Sequence, residues 1–402
     1  MSERRRLLAA LLPVYLSVFL FVAGNSALSI LVPIYLSRGA HLGAPAIGAA
    51  VAVFGIASLV ARLPVGLSYS RSRGPVFLVV GGALSAAAFA LVPLVTDPLL
   101  FSGLMALNGL GWSIATTAQL ALLVARPPAG VSTAAAMGWF SGATGFGNVV
   151  GGVLGGVTAD AVGLRATFFI LAVTPLVGAF LMLRSVAASD ALAHEGDRVT
   201  RGAPWHAIFR LPLAVWVGVL VMFFINGLNA LTNTFHPLLA LAAGMSVTEI
   251  GILSSTRSWA SSSSRFGSGP LFSRFDPAGL TLPLVITGTL ATCLIPSVIT
   301  SFALQVPLFV LAGVSRGLLR VTGSVDAFSS VGEDARLNGL TSALLYAGLD
   351  LGKIVMPFVG GAVAGLWGIA TMFRILPAVL LVLYLALAVP ARRALSPAPA
   401  RP

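Results

Sequence analysis

The sequence predicts an all-α polytopic membrane protein with twelve transmembrane helices, arranged as two six-helix bundles related by a pseudo-twofold axis along the membrane normal. Three observations predict this fold. The 402 residues are 57% hydrophobic and only 9% charged, and the mean hydropathy of +0.98 lies far above that of globular proteins. Apolar runs of membrane-spanning length recur from Leu7 to Pro390. Finally, segments of the first half match segments of the second half at a fixed offset.

The apolar runs are helices and not barrel strands, because they are long and do not alternate in polarity. A helix needs about 20 apolar residues to cross roughly 30 Å of hydrocarbon. The 44 glycines and 24 prolines are compatible with helices in lipid, where glycine permits close helix contact and neighbouring groups satisfy freed backbone atoms. The predicted spans 1 to 12 are residues 8–36, 45–69, 75–96, 98–125, 131–158, 164–187, 211–240, 246–271, 279–300, 302–328, 336–362 and 368–389.

Charge placement predicts the orientation. The N-terminal MSERRRLLAALL resembles a secretion signal, but the apolar run continues to about Tyr35 without a cleavage site, so we expect it to be retained as span 1. Only Arg38 and Arg165 fall clearly on the outer side of a twelve-span count. By the positive-inside rule we expect a multi-pass protein of the cytoplasmic (plasma) membrane with both termini in the cytoplasm. The basic residues on the inner side are Arg4, Arg5, Arg6, Arg71, Arg73, Arg126, Arg198, Arg201, Arg210, Arg274, Arg336, Arg392 and Arg393.

The same rule accounts for most of the net charge of +12, so nucleic-acid binding is not expected. The single cysteine, Cys293, falls inside span 9 and excludes an intrachain disulfide. The other histidines, His41, His194 and His206, lie in loops, so no metal site is expected at His236, which we interpret as an interfacial histidine.

An internal repeat predicts the domain organisation. The segment IGAAVAVFGIASLVARLPVGLSYSR (47–71) aligns with IGILSSTRSWASSSSRFGSGPLFSR (250–274) at an offset of 203. We therefore expect an N-terminal bundle over 1–188, a cytoplasmic linker over 189–210, a C-terminal bundle over 211–390 and a cytoplasmic tail over 391–402. Identical pairs include Ile47/Ile250, Gly48/Gly251, Arg62/Arg265, Gly66/Gly269, Ser70/Ser273 and Arg71/Arg274.

These features together resemble the major facilitator superfamily over the whole chain: six plus six spans, a central linker and a repeated glycine-basic loop. The resemblance implies that the loops around Gly66, Arg71, Gly269 and Arg274 act in gating. Ser70 stands where the family usually has an aspartate that latches the two halves, so this position lacks the carboxylate of that latch. Span 5 keeps only part of an antiporter-like pattern, as Gly147-Asn148-Val-Val-Gly151-Gly152, which weakly favours export.

Polar residues indicate which helices face a cavity. Spans 3, 6 and 9 have no charge in their cores, and span 12 has only Arg374 near its start, so the other eight are expected to enclose a wet cavity. In FFINGLNALTNTFHPLL (223–239), the spacing i, i+3, i+7, i+10 places Asn226, Asn229, Asn233 and His236 within an arc of about 80°. The candidate solute-binding residues are Asn25, Asn108, Trp112, Asn226, Asn229, Asn233, Arg257, Arg316, Arg320 and Tyr346. The alternative is that the amides are interhelical hydrogen bonds that hold spans 1 and 7.

Charged residues deep in spans 8, 10 and 11 need a separate explanation, because each costs about 2.5–3.5 kcal/mol at mid-membrane. Arg257, Arg316 and Asp350 lie roughly 16–22 Å into their helices, with Arg320 and Lys353 one turn away. One interpretation is an internal ion-pair cluster in which Asp350 pairs with Arg316 or Lys353. Even so, the cations outnumber the single carboxylate, and the excess would attract an anionic solute.

The sequence therefore predicts a secondary active transporter that works by alternating access, with Asp350 and Lys353 as the ion-coupling residues and a proton as the expected ion. The solute is expected to be small and organic, either anionic or amphipathic as in multidrug-type efflux. No cofactor is expected, and we expect a monomer in the lipid bilayer. The chain lacks G-x-x-x-x-G-K-[ST], and no catalytic set of side chains appears in the spans, so an enzyme or a non-transporting sensor is the less favoured class.

Overall fold

The computed structural model describes residues 3–68, 73–125, 133–190, 208, 211–332 and 335–395, and within them the regular structure is helical. This follows from the sequence, because apolar segments in lipid satisfy their backbone hydrogen bonds internally as helices. The helices are α1 Glu3–Arg38, α2 Ala44–Ser68, α3 Gly74–Leu91, α4 Pro98–Ala125, α5 Thr133–Val162, α6 Leu164–Asp190, α7 Leu213–Ala242, α8 Val247–Phe266, α9 Ser268–Phe272, α10 Pro277–Leu294, α11 Phe302–Val331, α12 Ala335–Trp367 and α13 Ile369–Leu395.

Ten of the helices in the described part of the chain are long and apolar enough to cross a membrane. The long helices α5 and α8 are not among these ten. Their sequences show why: α5 is rich in glycine and alanine, and α8 carries a run of four serines and two arginines. Ten of the twelve predicted spans thus correspond to helices that are long and apolar enough to cross a membrane. The other two predicted spans, 5 and 8, correspond in position to α5 and α8.

The structure changes several predicted boundaries. Span 8 was predicted as one helix over 246–271, but α8 ends at Phe266 and a short α9 follows Gly267. The predicted linker begins inside α6, which reaches Asp190, and the rest of it falls almost wholly outside the described residues. The predicted tail likewise begins inside α13, which continues to Leu395.

Turns recur at matching places in the two halves of the sequence. Helices α3 and α10 each end in a 3₁₀ turn that contains a proline, Pro93 and Pro296, 203 residues apart. One glycine with positive φ separates α5 from α6 and another separates α12 from α13, namely Gly163 (φ 84°) and Gly368 (φ 83°). A residue with a Cβ is strained at such a φ, so these two one-residue connections favour glycine. The repeat seen in the sequence is therefore also present in the turn geometry.

The chain forms two compact units, one of residues 1–198 with 233–259 and one of residues 199–232 with 260–402. Helices α7 and α8 contribute to both units. In the first unit, α1 packs against α5 and α6, and α4 packs against α2 and α3. In the second unit, α10 packs against α11 and α13, and α12 packs against α11 and α13.

Close packing in the first unit depends on glycines of α5. A Cβ on Gly152 would meet Ser255 Oγ of α8, and one on Gly156 would lie 2.6 Å from the Val247 carbonyl oxygen. Gly151 instead faces the backbone of α1 at Ala23. The glycines of the antiporter-like pattern are thus occupied in helix packing, as the small-residue motifs of membrane helices are.

Candidate functional site

The asparagines on one face of α7, Asn226, Asn229 and Asn233, which we call the amide face, include two that contact different helices. Asn226 Nδ2 donates to the Leu349 carbonyl oxygen of α12 at 2.5 Å, and Asn233 Oδ1 accepts from Arg257 Nη2 of α8. Asn229 lies between these two residues along the chain, and all three amides are half-buried. The sequence left two interpretations of these amides, solute binding and interhelical hydrogen bonding. Asn226 and Asn233 form interhelical hydrogen bonds, so the two interpretations have to be considered for each residue separately.

Two further polar residues near these amides are deeply buried. His236 is only 2% exposed, and its interpretation as a histidine at the membrane interface stays a prediction. Arg257 is 4% exposed and bonded to Asn233. Burying a guanidinium requires hydrogen-bonded partners, so Arg257 and Asn233 form a structural pair within the first unit.

A second set of polar residues lies between α1 and α4 in the first unit. Gln119 Nε2 lies 3.4 Å from Ser17 Oγ, and the rings of Phe21 and Trp112 stack with centroids 5.4 Å apart. Moving forward along α1 thus corresponds to moving backward along α4, so the two helices are antiparallel. The next turn of each helix carries Asn25 and Asn108 respectively, and this register places these two amides at the same depth.

Asn25 and Asn108 each have a buried polar atom without a hydrogen-bond partner in the described part of the chain. The atoms are Asn25 Nδ2 and Asn108 Oδ1, and Asn108 as a whole is 1% exposed. Leaving such an atom unsatisfied costs about 1–3 kcal/mol, so native structures rarely keep one without a reason. The pair combines a donor and an acceptor beside the Trp112 ring, which suits a polar group of a solute.

The second unit brings charged residues of α11 and α12 together. Arg320 Cζ lies 6.0 Å from the centroid of the Tyr346 ring, within the range of a cation–π contact. The short connection between Val331 and Ala335 makes α11 and α12 antiparallel neighbours. Arg316, one turn before Arg320, and Asp350, one turn after Tyr346, therefore come to similar depth in this register.

The charged side chains of α11 and α12 are neither fully buried nor fully exposed. Arg316, Arg320, Asp350 and Lys353 are all half-buried, and Tyr346 is 43% exposed. Because a charge that faces lipid is costly, such residues face protein or a water-filled space. The arrangement can hold a polar or anionic group next to ionisable side chains.

Sequence reasoning missed one cation of this cluster, Arg265. Its Nε donates to the Ser261 carbonyl oxygen at 3.1 Å and its Nη2 to Ser262 Oγ at 3.2 Å. The guanidinium lies within Coulombic range of both Arg320 and Tyr346. The signal for Arg265 in the sequence was its place in the repeat, where it aligns with Arg62.

The predicted gating residues are only partly described. Gly66 lies in the last turn of α2, and Arg71 lies outside the described residues. In the second half, Gly269 lies in α9 and Arg274 is the second residue after the end of that helix, and both residues are exposed. The structure thus shows a helix break at the second glycine-basic loop, between α8 and α10.

Comparison with known families gives one match over most of the chain. The profile of the Major Facilitator Superfamily matches residues 14–344. Over 199 residues, or 49% of this chain, the sequence is 28% identical to the vesicular acetylcholine transporter of Mus musculus. That match spans only 37% of the mouse protein's own length.

Solved structures with a similar fold are also transporters. The nucleoside transporter NupG superposes with a TM-score of 0.77 at 16% identity, over 94% of this chain and 98% of that one, and a point mutant of the same transporter gives a TM-score of 0.78 at 14% identity, over 94% and 99%. A bacterial homolog of the human lysosomal transporter Spinster, solved inward-facing and unoccupied, gives 0.73 at 16% identity, over 99% and 100% of the two chains. At these identities the likeness concerns the fold.

Proposed function

Because the chain belongs to the major facilitator superfamily, as the sequence resemblance predicted, we propose that it is a secondary active transporter that moves a small organic solute by alternating access. The family and the similar proteins are transporters and not enzymes. The observation that carries the proposal is the set of half-buried ionisable residues, Arg316, Arg320, Asp350 and Lys353, inside apolar helices of membrane-spanning length. Such residues mark solute or ion pathways.

We propose candidate solute-binding groups within each unit. Asn25, Asn108 and Trp112 supply a donor, an acceptor and an aromatic ring in the first unit. Asn229, Arg320 and Tyr346 supply polar and cationic groups in the second. We propose structural roles for Asn226, Asn233 and Arg257, since their side chains are engaged with other helices. The groups of the first unit suit a polar or aromatic part of an organic solute, and those of the second unit suit an acidic group.

We propose proton coupling through Asp350, with Lys353 and Arg316 as its cationic neighbours. A carboxylate in a partly wet cavity exchanges protons, and solute binding that displaces its cations would change its proton affinity. The register of α11 and α12 supports this proposal, because it brings Arg316 to the depth of Asp350. The two termini are proposed to be cytoplasmic, with the loops at Gly66/Arg71 and Gly269/Arg274 acting as gates on that side.

Efflux of amphipathic compounds is the second proposal, supported by the glycine pattern of α5. Those glycines pack against α1 and α8, and close packing is sufficient to explain them. We therefore favour the organic anion.

Reconstitution tests the proposed function directly. Purified protein in liposomes is given acidic, neutral and cationic organic solutes, with and without an imposed pH gradient. We expect exchange of an acidic solute without a gradient and its accumulation with one, both absent from protein-free liposomes. Equal flux in liposomes with and without protein, for every solute, would contradict the proposal.

A further inference from the structure

Helices α8 and α11 make a close contact in the second unit. A Cβ on Gly317 would meet the Ser261 carbonyl oxygen and Ser264 Oγ, so the two helices touch where α11 has no side chain. Arg265 lies one turn after Ser261, and Arg320 lies three residues after Gly317. The helix contact therefore sets two arginines beside each other.

The orientation of Arg265 is fixed by its own helix. Its hydrogen bonds to Ser261 and Ser262 use two of the five N–H donors of the guanidinium. These bonds hold the side chain against α8 and use none of the other three N–H donors. The serine run thus does more than provide small residues for packing, because it also anchors this arginine.

The electrostatic environment of Arg265 includes another cation. Arg320 lies close enough to Arg265 for the two positive charges to interact. Arg320 in turn lies over the Tyr346 ring. Two guanidinium groups held close together repel each other, and an anion between them converts this repulsion into attraction.

We propose that Arg265, Arg320 and Tyr346 form an oxyanion site that binds the carboxylate or phosphate group of the transported solute. This inference rests on the proposed transport function and gives its solute a required chemical group. The planar N–H donors of arginine match both oxyanions in bidentate geometry, and the tyrosine hydroxyl adds a further donor. The three residues come from α8, α11 and α12, so a bound oxyanion links three helices of the second unit.

Ligand-induced thermal stabilisation of the purified full-length chain tests the site. The probes are benzoate, its neutral counterpart benzamide, and inorganic phosphate. We expect benzoate or phosphate to raise the Tm of the native protein while benzamide does not. Arg265→Gln and Arg320→Gln should each weaken the apparent affinity about tenfold or more, since a hydrogen bond to a charged group is lost. Tyr346→Phe should weaken it less.

The matched control is Arg62→Gln, which removes the arginine at the equivalent place in the sequence repeat. We expect this variant to keep the native response to both anions. Arg265→Lys retains the charge without the planar donors and should respond between native and Arg265→Gln. If neither anion stabilises the native protein more than benzamide does, or if Arg62→Gln loses the response as fully as Arg265→Gln does, the inference is wrong.

Two further arms separate the alternatives. In nanodiscs, stabilisation by phosphatidylglycerol over phosphatidylcholine that requires Arg265, without any response to benzoate or phosphate, would identify a lipid headgroup and overturn the solute site. Binding at equilibrium needs no transport, so anion binding without solute exchange contradicts only the transport proposal. Exchange of neutral solutes without any response to the anions contradicts only the oxyanion site.

Discussion

Asp160, near the end of α5, caps the start of α8: its Oδ2 accepts from the Thr248 amide at 2.7 Å and its Oδ1 from the Val247 amide at 3.3 Å. Helix N-termini leave N–H groups without partners inside the helix, and carboxylates satisfy them well. Ser246 and Glu249 add a reciprocal capping box. A residue of one helix thus completes the cap of another that lies 87 residues away in the sequence.

Asp160→Ala should loosen the start of α8. Loss of the two hydrogen bonds is expected to cost about 1 kcal/mol and to speed hydrogen exchange at Val247 and Thr248. Asp97→Ala is the matched control, since Asp97 caps its own helix through Leu99 and Leu100. That variant should speed exchange only at the start of α4. Unchanged exchange at Thr248 in Asp160→Ala would contradict the capping role.

Asn233→Ala should mainly lower stability, whereas Asn229→Ala should mainly weaken solute binding. Asn233 holds the buried Arg257, so its loss should lower the free energy of unfolding by about 1.5–3 kcal/mol, the usual range for a hydrogen bond to a charged group. Asn229→Ala should leave stability nearly unchanged and weaken solute binding. Thermal unfolding and solute affinity are measured on both purified variants. The same loss of Tm in both would show that the amide face as a whole is structural.

The asparagines of α7 show which features the sequence predicts and which it does not. Helical periodicity places Asn226, Asn229 and Asn233 on one face of α7, because the pattern depends only on local geometry. It does not predict that Arg257 is the partner of Asn233 and the Leu349 carbonyl that of Asn226, because these contacts depend on the packing of helices distant in sequence.

The same distinction, between local sequence patterns and contacts of helices distant in sequence, explains which other features were predicted and which were missed. Long apolar runs and turn residues such as Pro93 and Gly163 locate most helices, since bilayer thickness and backbone geometry act locally. The break after α8 was missed because glycine and proline were taken as compatible with helices in lipid, so Gly267 and Pro270 were not interpreted as a helix end. Arg265 was missed as a site residue because its meeting with Arg320 depends on the close contact of α8 with Gly317.

Gly152→Val should separate α5 from α8. The added side chain would collide with Ser255 Oγ and approach the Gly251 carbonyl oxygen, 3.0 Å from the Cβ position. Overpacking of this kind costs about 1–3 kcal/mol, so Tm should fall clearly. Gly103→Val in α4 is the control, because its Cβ position has no atom of the described residues within 4 Å. Equal losses in both variants would contradict the prediction, because the added side chain would then destabilise the protein without the α5–α8 contact.

Asp350→Asn should uncouple transport from the proton gradient. The asparagine keeps the size of the side chain and, like the protonated carboxyl, carries a donor and an acceptor, but it cannot release a proton, so accumulation driven by a pH gradient should vanish while solute exchange, which needs no net proton movement, continues. The register of α11 and α12 places Arg316 at the same depth, and removing one partner of a partly buried ion pair lowers stability, because the other charge loses its counter-charge. Stability must therefore be measured on the same preparation.

The double variant Arg316→Gln/Asp350→Asn is neutral at both positions and should recover much of the lost stability if the two residues pair. It should still fail to accumulate solute on a gradient, because restored stability does not restore a titrating group. Accumulation by a well-folded Asp350→Asn protein would exclude Asp350 as the coupling residue.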